Sequence, residues 1–188
     1  GITKANPGVV TSTSHGYANG DVVVLAVSGM NELDGVAVRV ANVAANTFEL
    51  EGVDTTTFGT FTAGTAREVL TWDTFASLQS IDLPNQQAQQ IDITTIHDTQ
   101  RQETLGLAGA VSGTMSGLFS PTEAAVVNMR NATRQTAPRA FRMTFETGQK
   151  AIFNADVAAG QGFSLQQNQA ATAQYGLTIK RFVSYYAS

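Results

Sequence analysis

Apolar residues fall at every second position in segment after segment of this chain, and only one stretch breaks into helical spacing. Such alternation marks strands with one buried face. In GVAVRVANV, Val36, Val38 and Val40 share one face and Ala37, Arg39 and Ala41 the other. NTFELEG sets Phe48 and Leu50 against Thr47, Glu49 and Glu51. QIDITTI sets Ile91 and Ile93 against Asp92 and Thr94, and SGTMSGLFS sets Met115 and Phe119 against Thr114, Ser116 and Leu118. FRMTFET alternates through Phe141, Met143 and Phe145, and KAIFNADVA through Ala151, Phe153, Ala155 and Val157. DVVVLAV is instead apolar throughout from Val22 to Val27, at strand length. YGLTIKRFVSYY alternates and then loses phase at Lys180–Arg181, where a bulge is expected.

The exception is SPTEAAVVNMRNATRQ. Ser120 is placed to cap it, Pro121 suits the first helical position, and Glu123 completes a capping box. Ala125, Met129 and Ala132 share a face, and Pro138 stops the helix. The expected architecture is mainly β: a sandwich or barrel with one flanking helix, plus a small N-terminal all-β domain.

Charge divides the chain. Residues 1–66 carry Lys4 and Arg39 against Asp21, Glu32, Asp34, Glu49, Glu51 and Asp54, while residues 67–188 balance. TFGTFTAGTA reads as the connector, giving domains 1–66 and 67–188. Charged residues make up 14% of the chain against roughly 25% in ordinary soluble domains, so much of the surface is expected to be covered by other subunits.

Several functions are disfavoured. There is no cysteine, hence no disulfide, thiolate nucleophile or Cys-ligated metal. The apolar run Val22–Val27 is too short to span a bilayer, so no membrane partner is expected. A net charge of −4 argues against general nucleic-acid binding. Ser12, Ser14, His15 and Asp21 supply residue types for a hydrolytic triad, yet no nucleophile elbow accompanies them; TSTSHGYANGD reads better as a turn into a strand. His97, Asp98 and Asp92 lack metal-ligand spacing, and NELDG offers too few oxygens for a calcium loop. Gly106 and Gly109 have no phosphate-loop context. Arg130, Arg134, Arg139 and Arg142 cluster without aromatic interleaving, as on a solvated or intersubunit face. No catalytic set, metal or cofactor is expected.

IHDTQRQETLGLAGAV has no stable period and reads as a long loop. Connections of that length inside a compact domain are usually functional, so Leu105 and Leu107 are read as contact residues.

Two resemblances follow from these segments. HG, NGD, GMNELDG and NTFELEGVD, over about residues 7–66, resemble the small β module named after the first catalytic cysteine half-domain (FCCH) of ubiquitin-activating enzymes. The segment from IDITTIHDTQRQETLGLAGAVSGTMSGLFS through the helix, FRMTFETGQKAIFNADV and TIKRFVSYY resembles the tail tube proteins of long-tailed bacteriophages. That second resemblance implies a structural virion protein with no enzyme activity, forming rings, usually hexameric, that stack into a tube. It implies assembly in the host cytoplasm, other tail proteins such as tape measure, terminator and sheath as partners, and genomic DNA passing the lumen without sequence-specific binding. It also implies that the loop from His97 to Ala110, with His97, Arg101, Glu103, Leu105 and Leu107, reaches the neighbouring ring. The N-terminal module would decorate the tube. A rival reading, a carbohydrate- or receptor-binding tail module, would use Tyr17, Phe48, Phe58 and Phe61.

Overall fold

A computed structural model describes residues 1–85, 88–159 and 162–187, without the side chains of Leu107 and Ala108. The first sheet holds β1 (Val9–Thr11), β2 (Val22–Ser28), β3 (Ala37–Ala44), β4 (Thr47–Leu50) and β5 (Ala63–Glu68), in the order β1-β4-β3-β2-β5. The alternating faces are the ones that bury. Val36, Val38, Val40, Phe48 and Leu50 join Val23, Leu25 and Val27 in one core. The continuous run in β2 has a different cause: its other face is buried too. Val22, with Ala37 of β3, packs against Ile152 and Tyr186 from the far half of the chain.

β5 occupies the second half of the expected connector and pairs with β2 along its length, Ser28 opposite Ala63 and Val23 opposite Glu68. Its sequence, AGTARE, carries no apolar alternation because an edge strand needs only backbone partners.

The second half forms β6 (Leu78–Asp82), β7 (Ala88–Asp92), β8 (Glu103–Ala108), β9 (Ser112–Leu118), α1 (Ala124–Gln135), β10 (Arg139–Thr144), β11 (Lys150–Ala158), β12 (Thr172–Ile179) and β13 (Ser184–Tyr186). The main sheet runs β10-β11-β12-β9-β6, with β13 beside β11, and β7 and β8 form a separate two-stranded ribbon. Phe141 and Met143 of β10 and Leu78 and Ile81 of β6 reach the same core as Phe153, Tyr175 and Leu177. Opposite edges meeting in one core mean that the sheet curls, with Val126 and Met129 of α1 in its hollow. The expected bulge is present: Ile179 pairs with Ala155 and Ser184 with Ile152, five steps against three, and Arg181 at φ 62° carries the detour.

Two sequence expectations change here. The helix begins at Ala124, not after Ser120, and Glu123 makes no side-chain cap bond. Its carboxylate instead accepts the N–H of Ala76 at 2.5 Å and the hydroxyl of Ser77 at 2.5 Å, tying the helix to the strap before β6. On β11 the alternation that buries Phe153 and Ala155 puts Ile152 and Asn154 on the opposite face, yet both are buried as well. The first sheet covers them; the Asn154 amide donates to the Gly35 carbonyl at 2.8 Å.

β6 crosses β9 closely. A methyl at Gly117 would overlap the Ser77 carbonyl and lie 3.1 Å from Leu78 Cα. This explains the glycines of SGTMSG.

Candidate functional site

The outward face of β12, β9 and β6 is built mostly of short polar side chains, with Leu118 the apolar exception at the end of β9. Register places Gln174 beside Ser116 and Thr178 beside Ser112, with Ser80 and Asp82 of β6 opposite Ser116 and Thr114. The Ser80 and Ser116 hydroxyls bond at 2.7 Å. Asp82 is the only charged residue in the three strands, and none is basic. Towards β11 the same sheet face passes beneath the first sheet, with Lys180 and Asp156 paired at 2.5 Å between the open and covered parts. The curl turns these two parts in different directions.

The second feature is the β7–β8 ribbon, which leaves β6 and returns to β9. Among the described residues its strands pair only with each other, Ile91 opposite Thr104 and Asp92 opposite Glu103. The expected loop from His97 to Ala110 is therefore a hairpin turn followed by a strand. Among the described residues no sheet lies beneath it, so Ile91 and Ile93 are about half exposed despite their strand-like alternation, and Ile96 at the tip is 95% exposed.

The candidate contact residues separate on this ribbon. His97 is exposed in the turn. Arg101 lies 3.0 Å from Glu103 and 3.3 Å from Asp92. Leu105 pairs with Gln90 and is 70% exposed, whereas the side chain of Leu107 lies outside the described residues. Asp98 folds the tip, accepting the Thr95 N–H at 2.7 Å and its hydroxyl at 2.9 Å. Those bonds hold its carboxyl below the ordinary aspartate range. Asp92 is lowered likewise, by the Thr94 hydroxyl, the Thr94 N–H and then Arg101. Ile91, Ile93 and Ile96 were not among the predicted contacts; their alternation matched that of a core strand, and the only sequence signal was their position beside the long unpatterned segment.

The remaining candidates are occupied structurally. His15 Nε2–H donates to the Ala44 carbonyl at 2.9 Å, and Nδ1 accepts the Tyr17 N–H at 3.1 Å. Asp21 accepts the Ala18 N–H at 2.7 Å, closing its own turn. In NELDG, Asp34 accepts the Val27 N–H at 3.0 Å, Glu32 accepts the Gly59 N–H at 3.1 Å, and Leu33 is buried. Phe48 is in the first core, and Tyr17, Phe58 and Phe61 pack against it half-buried. Arg142 does have an aromatic neighbour, its guanidinium 4.7 Å from the Trp72 ring centre. Among the described residues no three His, Asp or Glu side chains converge as metal ligands, and no helix is long and apolar enough to cross a membrane.

Comparison with known proteins gives one family. Residues 28–188 match the family described as phage tail tube protein, TTP. No curated protein matches the chain. Among solved structures, a chain in the virion of a native gene transfer agent particle is similar at 15% identity and a TM-score of 0.48, over 61% of this chain and 88% of that one. A chain from the tail of an empty gene transfer agent particle, determined by helical refinement with C6 symmetry, is similar at 15% identity and a TM-score of 0.48, over 61% of this chain and 86% of that one.

Proposed function

This chain belongs to the phage tail tube protein family, and from that premise we propose that it assembles into rings, hexameric as in the family, that stack into a tube with the outward face of β6, β9 and β12 lining the channel. Its role is structural, within the tail of the particle. The observation that carries the channel assignment is that face's chemistry: Ser, Thr and Gln side chains, one carboxylate, a single apolar side chain (Leu118) and no basic residue. Tight DNA binding requires Lys or Arg on phosphates. A hydroxylated, faintly acidic wall stays wet and gives DNA nothing to grip as it slides.

The β7–β8 ribbon is the element that reaches the adjoining ring. Its support is physical: an isolated two-stranded hairpin is marginal in water, and this one exposes Ile91, Ile93, Ile96 and Leu105. The N-terminal module lies on the tube exterior, away from the channel. Negative-stain electron microscopy of the purified protein tests the reading. Rings and short tubes are expected; monomers alone at high concentration, even beside tail partners, would overturn it.

A further inference from the structure

Strand polarity puts two apolar surfaces at opposite ends of the main sheet. Asp82 pairs with Thr114 and Ser112 with Thr178, so the ribbon leaves and returns at that end. Leu78 pairs with Gly117 and Leu118 with Thr172 at the other. Six strand steps, about 20 Å, separate Ser112 from Leu118.

At the ribbon end, Ile91 and Ile93 share a strand face and Ile96 crowns the turn. At the far end, Phe163 stacks on Phe119 with ring centres 4.7 Å apart and remains 55% exposed. Leu165, two positions on and on the same side as Phe163, is 67% exposed. This shelf is held to the sheet, because Ser164 and Thr172 exchange backbone hydrogen bonds at 2.8 and 2.9 Å. Residues 162–172, GFSLQQNQAAT, contain no charged side chain, so an isoleucine meeting the shelf would displace no ion's hydration.

Pointing from opposite ends, the two surfaces cannot meet within one chain. A second copy displaced along the strand direction brings them together, and the contact repeats because it joins unlike patches. We propose that the shelf of Phe163 and Leu165 receives the ribbon tip, Ile93 and Ile96, of a second copy of this chain. The proposal rests on the stacked-ring reading and names the receiving surface.

The chain lacks cysteine, so a pair can be introduced cleanly. A chain carrying both Ile96→Cys and Leu165→Cys, assembled and then mildly oxidised, is expected to give a ladder of covalent multimers on a non-reducing gel. Either single substitution alone should give none. Leu165→Asp, at an exposed position, should leave the melting curve and rings intact and abolish stacked tubes. Normal tubes from Leu165→Asp, or intact tubes of the double-cysteine chain that yield no ladder, overturn the shelf while leaving the tail tube reading standing. Failure of the unaltered protein to form tubes overturns both.

Discussion

Arg39 and Tyr186, 147 positions apart, clasp each other across the two sheets: the Arg39 N–H donates to the Tyr186 hydroxyl at 2.8 Å, and the guanidinium lies 4.6 Å from the ring centre. Glu51 holds that guanidinium through both oxygens. The N-terminal module is therefore seated on the second sheet, not tethered beside it. Tyr186→Phe removes the acceptor of a half-buried N–H and should cost about 1–3 kcal/mol. Tyr186→Ala empties the seam and should cost about 3–5 kcal/mol. Urea unfolding of the two variants checks the order.

The same tyrosine sets an alkaline limit. Burial raises its pKa above the ordinary 10.0. The unfolded chain thus loses the proton first, and the contribution of the neutral hydroxyl is complete below the ordinary value and is lost as pH rises through the folded one. Unfolding midpoints should fall in that alkaline window for the unaltered protein, and fall less for Tyr186→Phe. Identical slopes would remove Tyr186 as the cause.

Gly117→Ala should destabilise the second sheet by about 1–3 kcal/mol, because β6 must retreat from the Ser77 carbonyl contact. Gly162→Ala is the control, since nothing lies within 4 Å of an added methyl there. Thermal melts of the pair separate local crowding from a general intolerance of alanine.

His15→Ala should cost about 0.5–1.5 kcal/mol, because water replaces the imidazole at the exposed Ala44 carbonyl and the Tyr17 N–H is only half-buried, and should leave ring formation intact. Unfolding curves and microscopy check both halves. Lost assembly at unchanged stability would instead place His15 at a subunit contact.

What was legible in the sequence was whatever depends on a local period. Val38, Phe48 and Phe153 bury as their alternation requires, and the helix body turns Ala125, Met129 and Ala132 inward. What was not legible depends on distant partners. Glu123 leaves its capping role because Ser77, far away in sequence, offers it a hydroxyl and an N–H. LQSID of β6 offers only Leu78 and Ile81 to the core, and backbone pairing with β9 does the rest of its recruitment. The ribbon marks the sharpest limit: Ile91 and Ile93 alternate as a core strand would, and only tertiary structure reveals that they stay half exposed. The polar wall was visible as Ser, Thr and Gln usage, but only strand register gathers those residues onto one face.

Asp82→Lys tests that wall most directly. Asp82 lies at the open edge of the sheet, half a strand from Ser80, and its carboxylate has no basic neighbour in β6, β9 or β12. Replacing it reverses one charge in every subunit of every ring, so tubes should form normally while the channel gains a spiral of ammonium groups. Each phosphate contact so created makes DNA binding salt-dependent, since bound counterions are released. Particles carrying the substitution should eject DNA more slowly at low salt and recover as salt rises, followed by dye fluorescence after triggering. Ejection unchanged at every salt concentration, from particles with intact tails, would mean that Asp82 faces away from the DNA path and that another surface lines the channel.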